Sequence, residues 1–327
     1  MKSVSIFAVP ANLPESERLQ RRHMLARLGL AWLIMMQAMM FAFPGYVRNE
    51  YLHSDSLATL DTAIIVMNWI NFALAVPVML YCAAPVWKGL FPNSKQAMIV
   101  NMNWPVALGI IVAFIPSAIA TVKQSGEVYF ESIAMFVAFL LTARYLEFAA
   151  QQSAKFNVGV IDPELESVVG RIAQRADRVA FIFVLLQIIL AIATAVVWYL
   201  YINAAHAVPV LVSLFVMSCP CAMAMAVPTA SSAARAALLN LPHVTPDQRQ
   251  RILQQTITTA NQNLYGSLIW HLLMTPLAMA GIVAPWLAAI TMLVSSLAVA
   301  WNSYRFYKKF LKEAQVFDSR ISTSTVV

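Results

Sequence analysis

The run from Val208 to Val227, VPVLVSLFVMSCPCAMAMAV, holds twenty consecutive residues without a charge. A helix of that length rises about 30 Å, the thickness of a bilayer's hydrocarbon core. Seven more apolar stretches accompany it, at about 28–46, 61–83, 98–120, 129–149, 179–202, 264–283 and 285–304. An unpaired backbone N–H or C=O in hydrocarbon costs several kcal/mol, so spans of this kind fold as helices. The expectation is an all-α, polytopic integral membrane protein with about eight transmembrane helices. Composition supports it: 60% of residues are hydrophobic and only 11% charged, too few to cover a soluble chain of this size.

An even number of spans puts both termini on one side. Of the 22 Lys and Arg residues, only Arg48 and Lys123 fall on the opposite face. The positive-inside rule then predicts an N-in, C-in topology. It divides the chain into a basic segment 1–27, a membrane domain 28–304 with short cytoplasmic segments at 150–178 and 231–263, and a tail 305–327. The net charge of +7 reads as topogenic and lipid-facing, with no nucleic acid partner expected. No cleavable signal is expected, since Arg18 to Arg27 leads straight into a full-length span. Three cysteines, two of them in the membrane, imply no disulfide framework.

The cytoplasmic segments limit the chemistry. In 150–178, Leu165, Val168, Val169, Ile172 and Val179 recur at helical spacing and predict an amphipathic helix at the interface that feeds the fifth span. In 231–263, Thr245, Pro246 and Gln248 form a capping box that opens a helix. Neither segment is long enough for a catalytic domain, which takes at least about 50 residues. No phosphate-binding loop, GxGxxG or HExxH occurs.

Cys219, Pro220 and Cys221 carry the strongest chemical signal. On an unbroken helix two residues with one between them point about 200° apart and share no ligand. Proline removes an N–H and clashes with the preceding turn, so the helix can open and both sulfurs can turn to one point. Paired thiolates in a dry site select a soft ion, above all Cu(I). The alternative is two buried cysteines packed as small hydrophobes beside a kink.

Longer segments resemble the membrane part of the heavy-metal P-type ATPases, specifically the copper exporters and the branch that supplies copper for haem-copper oxidase maturation. They run in order: MMQAMMFAFPGY (35–46), NMNWPVALG (101–109), GEVYFESIAMFVAFLLTARYLE (126–147), AQRADRV (173–179), SCPCAMAMAVPTA (218–230), QNLYGSLIWHLLMTPLAMAG (262–281) and PWLAAITMLVSSLAVAWNSYRF (285–306). Asn103 stands where the family usually carries Asp. The resemblance implies a P-type-ATPase-like transmembrane bundle in a bacterial cytoplasmic (inner) membrane. It also shows what this sequence lacks. The family's actuator domain with its TGE loop lies between helices four and five, and its DKTGT phosphorylation domain between six and seven. Here both intervals are short and no CxxC module is present, so the chain reads as an ion pathway without ATPase activity of its own.

The resemblance also implies ligands. Met102, Glu147 and Asp177 match the family's cytoplasmic inlet, where a thioether and two carboxylates take Cu(I) from a donor. The other reading of Glu147 and Asp177 is interfacial charge paired with Arg144 or Arg178. Cys219, Cys221, Met292 and Ser296 match the high-affinity positions. Glu131 matches the outlet carboxylate, or is simply a solvated charge at an outer edge. The family's Tyr-Asn pair is replaced by Trp270 and His271. His271 is either a retuned copper ligand or a side chain hydrogen-bonded to a neighbouring helix. Met35, Met36, Met39 and Met40 read as soft packing or a copper ladder, and Cys82 as core. The implied cargo is Cu(I), with Ag(I) chemically equivalent.

Three functions follow. The chain handles or delivers Cu(I) in the bilayer, taking it from a copper donor and passing it to an acceptor protein such as a membrane oxidase under assembly. Or it is the membrane subunit of a split pump whose motor is a separate ATPase chain. Or it is a structural subunit that keeps the helix packing alone.

Overall fold

A computed structural model describes residues 13–47, 57–90, 103–156, 163–240 and 245–324. Ten α-helices occupy them: α1 (Glu15–Val47), α2 (Leu57–Pro77), α3 (Ala84–Leu90), α4 (Asn103–Lys123), α5 (Phe130–Phe156), α6 (Pro163–Val197), α7 (Ala204–Met217), α8 (Cys221–Asn240), α9 (Pro246–Met279) and α10 (Pro285–Ser324). Single π turns extend α2 (Val78–Cys82) and α6 (Trp198–Ile202). The described residues contain no strand, and the protein is an all-α, multi-pass membrane protein.

Among the described residues, seven helical segments can cross a membrane by length and composition, α7 and α8 together counting as one. The expected stretch 264–283 falls outside that set because α9 buries polar side chains along one face: Thr256, Thr259, Asn263, Ser267, His271 and Thr275. Yet α9 runs parallel to α6 through the bundle. Phe183 stacks on His271, Gln187 donates to Thr275 at 2.8 Å, and Trp198 donates to the carbonyl of Met279 at 2.8 Å. Asn263 bonds Ser303 of α10, which in turn bonds Thr229 of α8 at 2.9 Å. Side-chain hydrogen bonds between helices thus replace part of the apolar character that α9 lacks.

The α7–α8 segment is the centre of the bundle. In its most apolar window 83% of residues are buried, against 22% in α1 and 17% in α2, so the outer helices shield it from lipid. On one side α1 packs on α5, with Trp32 donating to Thr142 at 3.0 Å and Arg21 donating to the Tyr145 hydroxyl at 3.0 Å.

At the end of the bundle rich in Lys and Arg, the structure corrects the interfacial-helix expectation. The segment Glu164 to Arg178 belongs to α6, which continues unbroken into the fifth span. Its apolar residues face protein: Leu165 and Val169 pack with Ala233, Ala237, Ile252, Leu253 and Phe306. Arg235 pairs with Glu166, and Arg249 with Glu164 at 3.3 Å. The capping box forms as expected, with Thr245 Oγ1 accepting from Gln248 N and Gln248 Oε1 accepting from Thr245 N. The links from Phe156 to Pro163 and from Asn240 to Thr245 are short.

Candidate metal centre

The sixth span breaks where the proline sits. Helix α7 ends at Met217, residues 218–220 leave the helix, and α8 restarts at Cys221. Pro220 has no N–H to give, and the freed carbonyls find local partners. Ser218 Oγ donates to Leu214 O at 2.6 Å, Cys219 N to Val216 O at 3.3 Å, and Ala224 N to Pro220 O at 2.9 Å.

The two cysteine Cα atoms lie 5.5 Å apart, about the i, i+2 separation of an ordinary helix. What the break changes is direction, because the side chains now converge. The structure joins them as a disulfide, a single local bridge where the sequence implies no disulfide framework. The reason is that same convergence, which places the sulfurs in bonding range inside a buried bundle. Cys219 is only 2% exposed. In the reduced state the same pair offers two thiols to one point.

Met292 of α10 shares the buried cluster of Cys219 and Met217, and Cys221 packs against it. Ser296, one turn further along α10, donates to Met292 O at 3.1 Å. Met217, which sequence reasoning passed over, is fully buried and its sulfur accepts from Thr291 Oγ1 at 3.7 Å. Its signal was its place two residues before Cys219. Among the described residues no three His, Cys, Asp or Glu side chains converge to hold a metal. An ion here would therefore rest on two thiolates and thioethers, a donor set that suits Cu(I) and not a harder cation.

His271 is fully buried against the ring of Phe183, with centroids 4.9 Å apart, and lies beside the Met217 backbone. Neither ring nitrogen finds a hydrogen-bond partner of good geometry. The ring faces the Met217 backbone of α7, the neighbouring helix, without a bond of ideal geometry, and among the described residues His271 does not converge with two cysteines.

At the basic end, Met102 lies outside the described residues. Arg144 donates to the Asn103 side-chain oxygen, and Asn103 donates in turn to Gly89 O at 3.0 Å. Glu147 accepts from Gln151 at 3.1 Å and lies within electrostatic reach of both Arg144 and Asp177. Glu147 and Asp177 therefore do share one neighbourhood, with Arg144 as its counter-charge. At the opposite end Glu131 is 3% exposed and accepts from Ser132 at 2.9 Å, so it is no solvated edge charge.

The four methionines of α1 separate. Met35 is buried and Met39 packs on the core, whereas Met36 and Met40 are 65% and 59% exposed on the lipid side. They form no single ladder. Cys82 is a buried free thiol in the core.

Comparison with known proteins shows these similarities. The chain is 27% identical over 132 residues to the nitrogen fixation protein FixI of Bradyrhizobium diazoefficiens, covering 40% of this chain and 17% of that protein. It is 30% identical over 87 residues to a probable copper-exporting P-type ATPase V of Mycobacterium tuberculosis, covering 27% of this chain and 11% of that protein. The chain thus matches less than a fifth of each relative's length. No protein-family model matches the chain. No solved structure matches it. These similarities relate the membrane part of this protein to the copper P-type ATPases.

Proposed function

We propose that this protein binds Cu(I) in a bacterial inner membrane and handles or delivers it without ATPase activity of its own. The observation that carries the reading is the break at 218–220, which turns Cys219 and Cys221 toward one point in the most enclosed span. Met292, in the same buried core, would complete the soft donor set, with Ser296 one turn further along α10; His271 lies beside the Met217 backbone and would be a further neighbour of the site. Glu147, Asp177 and Met102 form the cytoplasmic inlet and Glu131 the outlet. The donor and acceptor are copper proteins, the acceptor being a membrane oxidase under assembly. The membrane copper relatives support the cargo, and the short links between α5 and α6 and between α8 and α9 support the missing motor.

The test is anaerobic Cu(I) titration of the reduced, purified chain with X-ray absorption. One equivalent should bind, with two or three sulfur scatterers near about 2.3 Å, and Cys219→Ser or Cys221→Ser should abolish it. Binding that survives both substitutions refutes the proposal and leaves a structural subunit. Copper-dependent ATP hydrolysis that appears only with a second polypeptide would instead establish the split pump.

A further inference from the structure

We infer that Met225 is a relay ligand, passing Cu(I) from the carboxylates at the basic end to the thiol pair. This inference rests on the thiol site proposed above. Met225 is fully buried and sits one helical turn beyond Cys221 on α8, so the two side chains stand on the same face about 6 Å apart. It belongs to a small cluster with Ala143, Ala222, Val299 and Ala300, against which Leu146 and Cys221 pack. Ala143 lies one turn before Glu147 on the same face of α5. Glu147, Met225 and Cys221 are thus spaced about one turn apart in depth, roughly 5.4 Å per step. Met223 is equally buried and two residues away, but it packs into a different cluster with Phe183, Val184 and Leu264.

The step is a ligand exchange. The bond from Cu(I) to the Met225 sulfur breaks as the bond to the Cys221 thiolate forms, and the ion stays monovalent throughout. A thioether suits this place because it binds a soft ion more weakly than a thiolate and releases it onward.

The experiment follows loading of the reduced, full-length protein from the copper(I) bicinchoninate complex by stopped flow. Met225→Leu conserves volume and should leave the final copper occupancy unchanged while slowing loading by about tenfold, the effect of one missing step of about 1.4 kcal/mol. Met223→Leu should load as wild type. Loading by Met225→Leu at the wild-type rate overturns the relay, as does equal slowing by Met223→Leu. Cys219→Ser with Cys221→Ser separates the two claims: retained binding there removes the thiol site, whereas lost binding with a fast Met225→Leu removes only the relay.

Discussion

Pro220→Ala tests the geometry on which the proposed copper site depends. On a continuous helix the two cysteines would point about 200° apart, with sulfurs some 4–5 Å from the axis and therefore about 9 Å from each other. Two metal–sulfur bonds of about 2.3 Å span at most about 4.6 Å. One ion then keeps one thiolate. The Cα atoms would hardly move, since their present 5.5 Å separation is already close to the helical value. The change is a rotation of side chains, which needs little displacement of the bundle. Alanine restores the missing N–H and favours the helical form over proline by about 3 kcal/mol.

The expected result is a loss of Cu(I) affinity of at least about a hundredfold, or about 2.7 kcal/mol, read by competition with a chromophoric Cu(I) chelator. Pro228→Ala is the control, because Pro228 lies within α8 and away from the break. Its affinity should stay within about threefold of the parent, less than 1 kcal/mol. If Pro220→Ala also stays within that range, the break is held by the surrounding helices and the argument from proline fails.

Oxidation gives a second test. Diamide should close Cys219–Cys221 and abolish Cu(I) uptake, leaving Cys82 as the one titratable thiol of the three after unfolding; a reductant should restore uptake, and copper binding by the oxidised chain would refute the site. Gly281→Ala should destabilise by about 2–3 kcal/mol, because Gly281 has φ +73° and a Cβ there meets the Trp198 ring at 2.9 Å. Gly266→Ala, with nothing within 4 Å of the new Cβ inside α9, should stabilise by about 0.5–1 kcal/mol, and thermal unfolding in detergent compares the two. Thr245→Ala removes the capping-box acceptor and should cost about 1 kcal/mol, seen as faster proteolysis at the start of α9.

The spans were legible because hydrocarbon leaves the backbone only one answer, and the Pro220 break because a missing N–H has a local consequence. The capping box was legible for the same local reason. What failed was anything that depends on which helix lies opposite. Leu165 and Val169 have the spacing of a lipid-facing stripe, yet α8, α9 and α10 cover them, and periodicity alone does not distinguish lipid from another helix. Met223 and Met225 are identical in sequence terms and part only when α5 and α6 are placed on opposite sides of α8. His271 looked like a side chain that would find a partner across an interface, and its ring faces the Met217 backbone without a bond of ideal geometry.

The proposed role also bears on how the basic end is built. A pump moves an ion uphill only if an energy source rearranges the helices around the site. Here the links from α5 to α6 and from α8 to α9 are short, and the start of α6, the end of α8, the start of α9 and the later part of α10 are packed together. Leu165 of α6, Ala233 and Ala237 of α8, Ile252 of α9 and Phe310 of α10 form one cluster, with Glu166–Arg235 and Glu164–Arg249 across its edge. The exposed ion pairs contribute little, roughly 0–1 kcal/mol each. The apolar cluster contributes more, because separating the helices would return several buried side chains to water at about 1.5–3 kcal/mol each for the larger ones. On the proposed reading, in which this chain works without ATPase activity of its own, that cost favours an ion held at Cys219 and Cys221 and passed down an affinity gradient. Transfer should therefore stop when donor and acceptor affinities are equal. Net accumulation of copper against its gradient in sealed vesicles holding only this chain would contradict the reading outright.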